Sequence, residues 1–238
     1  MPTKSPGTWT RRIARATLVA ALLVLLAGPL MAGGLLGWQA GLGMFVMAAV
    51  LAGLGGLFCL WALLRKRGSL GVVLAAAAGI AAIGVPAAII IGARAYPPIN
   101  DITTDTANPP AFEAITTEMR GPGAAPLFYD PAFAAIQARG YPAVTGLVLP
   151  AAPDAVFVKA LAAAKEAGWT IIVSDAAGGR IEATATVPWW GFKDDIVIRL
   201  APAGSGTRVD VRSKSRVGKG DLGVNAKRIN DFLDALKA

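Results

Sequence analysis

Three long stretches without a charged side chain occupy most of the first ninety-five residues and constrain the fold more than any other feature. They cover residues 16–37, 38–64 and 68–93. A helix needs about 20 apolar residues to cross the hydrocarbon core of a bilayer, and each stretch is long enough. The sequence therefore predicts a three-helix transmembrane anchor over residues 1–95, with the lipid bilayer as its first partner.

The basic residues around these stretches predict an orientation. Lys4, Arg11, Arg12 and Arg15 lie near the first span, the three basic residues 65–67 separate the second and third spans, and no basic residue separates the first and second. Short cytoplasmic loops carry the excess of Lys and Arg in membrane proteins. We therefore expect a cytoplasmic N-terminus and an extracytoplasmic chain after the third span.

The spans contain no ionisable Asp, Glu, Lys or Arg, and the whole chain has no His. Proton relays and ion pathways are built from such residues inside the membrane. An anchor is therefore favoured over a transporter or channel. The first stretch also resembles a secretory signal, but two further spans follow it.

The formal net charge of +8 comes from the N-terminal third of the chain. Seven of the 23 basic residues lie before position 68 and all 15 acidic residues lie after position 100, so the remainder is nearly neutral. Membrane topology therefore explains the basic balance better than nucleic-acid binding does. The single cysteine, Cys59, excludes an internal disulfide, and the lack of His excludes His-based catalysis or metal binding. No metal or other cofactor is expected.

Residues 96–153 form a Pro-rich approach to the last part of the chain and hold ten of the 16 prolines. The interspersed aromatic and aliphatic residues are too apolar for a freely solvated linker. We expect an extended segment packed on a folded domain, with a short helix near 131–139 and a possible strand at 144–149.

Residues 154–238 show the pattern of an α+β domain. Asp154 and Asp221 are candidate N-caps of two amphipathic helices, and Gly168 is placed to end the first. Alternating residues predict strands at 169–175, 180–188, 194–200 and 207–213. Short turns between consecutive strands favour an antiparallel meander. The predicted fold is a two-layer domain in which a four-stranded antiparallel meander is covered by two helices.

The basic stretch RVDVRSKSRVGKGDLGVNAKRI, residues 208–229, lies at the end of this pattern. A hairpin closing over residues 200–207 places Asp195 opposite Arg212 and Arg199 diagonal to Asp210. Such opposite charges stabilise neighbouring strands. A mixed charge ladder without interleaved aromatic residues is not typical of nucleic-acid binding.

Two segments carry a resemblance to a known family. RIEATATVPWWGFKDDIVIRL and GTRVDVRSKSRVGKGDLGVNAKRINDFL, with the opening YPPINDITTDTANPPAF, resemble the bacterial family called domain of unknown function 1499. The resemblance covers about residues 96–237. It implies a bacterial protein, so the anchor and orientation above predict the inner (plasma) membrane with a periplasmic domain. It implies no activity. The matching polar positions are Asn100, Asp101, Thr104, Asp105, Arg180, Glu182, Asp194, Asp195, Arg199, Asp210, Arg212, Ser213, Ser215, Arg216, Asp221, Asn225 and Arg228.

The polar residues on the last strands and the helix that follows are candidate contacts for a ligand or partner. They are Asp195, Arg199, Asp210, Arg212, Ser213, Ser215, Arg216, Asp221, Asn225 and Arg228. Helix N-terminal amides with nearby cations suit an anionic ligand, although Asp221 already occupies that place as a cap. The alternative is a structural role, in which these residues fix the corner between strand and helix.

Three functions remain open at this point. An interaction or structural module of the cell envelope, with another envelope protein as its candidate partner, is favoured because no catalytic constellation is evident. A lipid- or small-ligand-binding domain would use Trp169, Trp189, Trp190 and Phe192 to line a pocket. A hydrolase is less favoured, with Glu182 and Asp195 as its only plausible carboxylate pair, and no catalytic residue is assigned.

Overall fold

The computed structural model describes residues 5–237, which divide into two compact units. One unit holds the chain up to Arg94 together with Pro188–Gly191. The other holds Ala95–Val187 and Phe192–Ala238.

The first unit is built from three helices: α1 (Thr8–Ala32), α2 (Trp38–Leu64) and α3 (Leu70–Ala93). Each is long and apolar enough to cross a membrane, so the three predicted helices are candidate membrane spans. α1 begins eight residues before the first uncharged stretch, so Arg11, Arg12 and Arg15 belong to it. Long Arg side chains near a helix end can reach polar surroundings while the backbone stays helical.

Small residues bring α2 and α3 together. A Cβ atom placed on Gly56 would lie 2.9 Å from the Cα of Gly79, and one placed on Gly79 would collide with the carbonyl oxygen of Ala52. Lipid is as apolar as Leu, so helices in a membrane associate through close van der Waals packing, which small residues allow. The large Leu and Ile side chains of these helices are mostly exposed.

The loop Pro188–Gly191 contributes two tryptophans to the helical unit. Phe45 meets the rings of Trp189 and Trp190 edge to face, at centroid distances of 6.0 and 5.0 Å. Trp189 lies directly over Gly28, where a Cβ would have no room. In the other unit Trp169 stacks on Phe232 at 5.3 Å. These aromatic residues therefore serve two separate cores, and the expectation that they line one pocket is wrong.

The second unit contains one six-stranded antiparallel sheet. Its strands are β1 (Asp101–Thr103), β2 (Leu147–Leu149), β3 (Thr170–Asp175), β4 (Arg180–Thr186), β5 (Lys193–Ala203) and β6 (Gly206–Ser215). Strands β3 to β6 form the predicted meander. Both β1 and β2 pair with the outer edge of β6, at opposite ends. The predicted four-stranded meander is therefore extended to six strands. β2 confirms the further strand expected at 144–149, whereas β1 was missed because it is too short and too close to prolines to show an alternating pattern.

Helices α6 (Pro153–Glu166) and α7 (Val224–Lys237) cover one face of this sheet, and α4 (Thr117–Arg120) and α5 (Ala132–Gly140) lie in the Pro-rich region. The core between sheet and helices is continuous. Its fully buried members include Ala160, Ile181, Ala183, Ile196, Ile198, Val209, Val211 and Ile229. These are the alternating strand positions and the helical positions that the sequence pattern predicts to be apolar.

The β5–β6 hairpin closes more tightly than predicted. Ala203 pairs with Gly206, so the turn has only two residues, and Gly204 takes the positive φ of 59° that its first position requires. The register is shifted by two residues, which keeps each side chain on its predicted face but changes its partner. Arg212 therefore lies opposite Val197, and Asp195 lies opposite Lys214.

The helix caps are partly as predicted. α6 takes Ala152 as its N-cap and Pro153 at its first turn, so Asp154 lies inside the helix and the predicted cap is wrong. Proline suits this position because its missing N–H would have had no helical partner. Asp221 does bind the start of α7, where its carboxylate accepts the N–H groups of Gly223 and Asn225. Gly168 ends α6 with the expected positive φ of 76°.

The close contact of α2 and α3 gives a testable prediction. Gly79→Ala should lower the thermal stability of the helical unit in detergent, because the added methyl group forces the two helices apart. Gly84→Ala is the matched control: it lies on the same helix, and a Cβ there meets no atom within 4 Å. It should leave the stability unchanged or raise it slightly, since Ala has the better helix propensity. Equal melting temperatures for the two variants would contradict the packing described here.

Candidate functional site

The second face of the sheet carries buried charges instead of apolar side chains. Residues 104–130, here called the covering segment, contact this face through backbone and side-chain groups, and its short helix α4 supplies one cation. The charged residues enclosed between them are at most 6% exposed: Asp101, Arg120, Glu182, Asp195, Asp210, Arg212 and Lys214. Buried charges need partners, and each of these has at least one.

Asp101, on β1, sits at the centre of the first group. Its two carboxylate oxygens accept hydrogen bonds from Nε and Nη2 of Arg212, both at 2.8 Å, and from Nζ of Lys214 at 2.6 Å. Arg212 also donates to the carbonyl oxygens of Pro110 and Leu127 in the covering segment. The guanidinium therefore joins β1, β6 and the covering segment.

Two aromatic rings flank the same guanidinium. The centre of the Arg212 guanidinium lies 5.1 Å from the ring of Phe112 and 5.5 Å from the ring of Tyr129. Contacts of this kind stabilise a desolvated cation through the ring quadrupole. Arg212 thus has charged, polar and aromatic neighbours at once, and no part of its head reaches solvent to an appreciable extent.

Asp195, on β5, organises the second group. It accepts hydrogen bonds from Nε of Arg120 at 2.8 Å, from Nη2 of Arg216 at 2.8 Å and from the hydroxyl of Thr184 at 2.9 Å. Arg120 also donates to the carbonyl oxygen of Ser215. The predicted partner of Asp195 was Arg212, which is wrong because of the shifted hairpin register.

Asp210, on β6, is the central carboxylate of the third group. Arg199 and Arg208 bind its carboxylate at 3.0 and 2.8 Å, and Thr104 donates to it at 3.1 Å. The predicted proximity of Arg199 and Asp210 is confirmed. Burial alone would raise the pKa of Asp210, but the hydrogen bonds from Arg208 and Arg199 outweigh this and lower the pKa.

Glu182, on β4, is bound mainly by backbone N–H groups, with the Arg180 guanidinium 3.6 Å from its carboxylate. Its carboxylate oxygens accept the N–H groups of residues 113, 114 and 115 at 2.7–3.2 Å. These amides lie in an irregular part of the covering segment, where no strand or helix supplies their acceptors. The carboxylate thus accepts the N–H groups of this loop, as the carbonyl oxygens of a neighbouring strand accept those of a strand in a sheet.

On the opposite face, β6 is joined to α7 by neutral and charged side chains. Asn225 accepts a hydrogen bond from the Ser213 hydroxyl at 2.6 Å and donates to the Ser215 hydroxyl at 2.9 Å. Arg228 donates to Ser213 and binds Asp194 of β5 at 2.7 Å. Asn225 and Arg228 bond to the strands because α7 lies directly over them.

The candidate residues therefore fall into separate groups on two faces of the sheet. Arg199, Asp210, Arg212, Asp195 and Arg216 lie on the face of the covering segment, whereas Ser213, Ser215, Asn225 and Arg228 face α7, and Asp221 caps that helix. Their polar groups bind other parts of the same chain.

Sequence reasoning missed Asp101, Arg120 and Lys214 as members of these groups. Asp101 and Arg120 come from a Pro-rich region without periodicity, so nothing predicted which strand they would meet. One signal was present: β6 and the residue after it carry Arg208, Arg212, Lys214 and Arg216, with Asp210 as the only acid among them. So many cations on one strand require carboxylates from elsewhere.

The comparison with protein families matches this region of the chain. Residues 101–236 match the family described as Protein of unknown function (DUF1499). The chain belongs to this family. The match starts at Asp101, the residue that binds Arg212 and Lys214, and spans both faces of the sheet. A search of curated proteins finds no match.

The DUF1499 region also has open concavities. One of them, about 520 Å³, is a groove between α6 and α7 lined by Trp169, Phe232, Lys227 and Arg228 among others. Its cations already have carboxylate partners, Asp231 and Asp194. The groove therefore shows no polar group that calls for a ligand.

The buried groups predict a large stability difference between two substitutions. Arg212→Ala should destabilise the DUF1499 region by about 3 kcal/mol or more, because it removes four hydrogen bonds and half the countercharge of buried Asp101. Lys227→Ala is the control, since Lys227 forms an ion pair with Asp231 but its side chain is 74% exposed. We expect its effect to stay within about 0.5 kcal/mol. Thermal unfolding of the full-length variants checks both values.

A loss of similar size for the two variants would show that the Arg212 cluster does not hold the domain together. If Arg212→Ala were as stable as the unaltered protein, Arg212 would again be a candidate contact for a ligand or partner.

Proposed function

We propose that this DUF1499 protein is a non-catalytic interaction or structural module of the bacterial envelope. Three helices anchor it in the inner membrane, the N-terminus lies in the cytoplasm, and the DUF1499 region lies in the periplasm. One observation carries the proposal: the candidate polar residues are bound to one another and to other parts of the same region, so they support a rigid domain instead of meeting a substrate.

The carboxylates best suited to acid–base chemistry support this reading. Glu182 and Asp195 lie on neighbouring strands of one face, as a hydrolase would require, but both are 0% exposed. Three backbone N–H groups bind Glu182, and two arginines and a threonine bind Asp195. A general acid or base must come within hydrogen-bond reach of its substrate. These two carboxylates are enclosed by the protein itself.

The distribution of basic residues supports the orientation. Arg11, Arg12 and Arg15 lie in the first turns of α1, and the loop between α2 and α3 contains the basic residues 65–67. The loop between α1 and α2, residues 33–37, has none. The positive-inside bias therefore favours a cytoplasmic position for the start of α1 and for the loop between α2 and α3.

Cysteine labelling tests the orientation. In a Cys59→Ala background, which removes the only native thiol, a membrane-impermeant maleimide should label Lys165→Cys in spheroplasts with an intact inner membrane. Arg67→Cys should react only after the membrane is permeabilised. Both positions are exposed on the protein, so their reactivity reports the compartment. The reverse pattern would place the DUF1499 region in the cytoplasm.

Site-specific crosslinking tests the interaction role. A photoreactive residue at Val158 on α6 or Val148 on β2, which are 68% and 56% exposed, should capture one recurring envelope protein in intact cells. The same pair must be recovered when the crosslinker is placed on the partner. A photoreactive residue at the buried position Ile198 serves as the control and should give no adduct. Absence of any reciprocal adduct from the exposed positions would remove the support for an interaction module.

A further inference from the structure

A second concavity of the DUF1499 region, about 370 Å³ in volume, differs from the α6–α7 groove in its lining. It opens beside the end of β6. Its walls combine apolar side chains with two amines and include Pro98, Pro126, Phe128, Phe133, Lys214 and Lys219. Its volume falls within the range of small-ligand sites, which combine apolar walls with a few placed polar groups.

Lys214 is the unusual member of this lining, because a lysine is rarely buried. It is only 4% exposed. Its ammonium donates one hydrogen bond to Asp101 at 2.6 Å and a long one, 3.4 Å, to the carbonyl oxygen of Phe128. An ammonium has three protons to donate, and the third has no partner among residues 5–237. Burial lowers the pKa of Lys214, and the nearby Asp101 carboxylate only partly offsets this effect.

The groups beside Lys214 hold a local excess of cations. Each of two carboxylates is shared by two cations: Asp101 by Arg212 and Lys214, and Asp195 by Arg120 and Arg216. A carboxylate neutralises only one positive charge, so each of these two groups holds one more cation than acids. A buried uncompensated cation is costly, and an incoming anion would lower that cost.

The rim of the cleft adds one charge of each sign. Lys219 is exposed and contributes a second amine. Asp130 also lines the cleft, and its Oδ1 accepts the N–H of Ala132 at 2.9 Å. The two rim charges cancel, so the buried excess at Lys214 determines the sign of the cleft.

The apolar part of the lining indicates what the anion carries. Phe128 is 68% exposed beside the cleft, so its ring is accessible to a ligand placed there. Phe133 and Pro126 continue the same apolar surface. A hydrocarbon group placed there would bury the Phe128 ring, whereas a bare inorganic anion would leave it in water.

We propose that this cleft binds a small amphiphilic anion, with a carboxylate or phosphate at the Lys214 ammonium and an apolar group against Phe128. This assignment does not depend on the orientation or the partner protein proposed above. The same chemistry is offered by a water-soluble organic acid and by the head of an acidic lipid, and the test separates these two sources.

The test uses the full-length protein in nanodiscs of phosphatidylcholine, with phenylbutyrate as the probe and phenylbutanol as its uncharged analogue. Binding is measured by calorimetry after subtraction of empty nanodiscs. Phenylbutyrate should bind saturably, with one site per chain. Phenylbutanol should bind about tenfold more weakly or worse, because it cannot form a charge-assisted hydrogen bond with Lys214.

Three variants locate the site. Lys214→Met should weaken phenylbutyrate binding by about tenfold or more, since it removes the ammonium. Phe128→Ala should weaken binding several-fold, and because Phe128 is mostly exposed this variant remains folded and keeps the test valid. Lys227→Ala, outside the cleft, should bind as the unaltered protein does.

Replacing part of the phosphatidylcholine by phosphatidylglycerol distinguishes the source of the anion. At a salt concentration that screens the lipid charge, weakened phenylbutyrate binding would assign the cleft to an acidic lipid. Unchanged binding would assign it to a soluble acid. The proposal is overturned if phenylbutyrate does not bind saturably, if phenylbutanol binds equally well, or if neither Lys214→Met nor Phe128→Ala weakens binding.

Discussion

The carboxylate of Asp101 is the contact on which the architecture of the DUF1499 region depends. It lies on a three-residue strand that pairs with β6 by only a few backbone hydrogen bonds, and it binds Arg212 and Lys214 of that strand through their side chains. A strand so short contributes little pairing energy by itself. The ion pairs fix its register, and Arg212 then reaches beyond β1 to bind two carbonyl oxygens of the covering segment.

Buried ion pairs often stabilise a fold less than apolar packing would, because both charges must leave water. Their stronger effect here is on specificity. The covering segment is rich in proline and has little regular structure, so many positions over the sheet would bury similar apolar area. Glu182 accepts only where three successive N–H groups meet it, and Asp195 accepts only where Arg120 arrives from α4. These directional contacts select one position for a segment that backbone pairing alone would not place.

The parts of the fold with regularly spaced apolar residues could be predicted from the sequence, and the irregular parts could not. Strands β3 to β6 and helices α6 and α7 repeat apolar residues at regular intervals, and these elements were predicted with small errors at their ends. The β5–β6 register was wrong because the strands extend past Leu200 to a two-residue turn at Gly204. The partners of Asp195 and Arg212 could not be predicted at all, since Arg120 and Asp101 meet them from distant, irregular positions. Periodicity records which face a side chain takes; it does not record which distant segment will cover that face.

Strand β6 explains why so many of the candidate polar residues lie close together in sequence. Its even-numbered residues Asp210, Arg212 and Lys214 point to the covering segment, and its odd-numbered residues Ser213 and Ser215 point to Asn225 of α7. Its outer edge binds β1 and β2, and its inner edge binds β5. One strand therefore joins every layer of the unit. Because side chains on a strand alternate between faces, this arrangement requires consecutive polar residues, and such a run resembles a binding motif even where its polar groups hold the protein together. Lys214 belongs to this run, and its ammonium both binds Asp101 and borders an open cleft. This residue therefore combines a structural role with the proposed role in ligand binding.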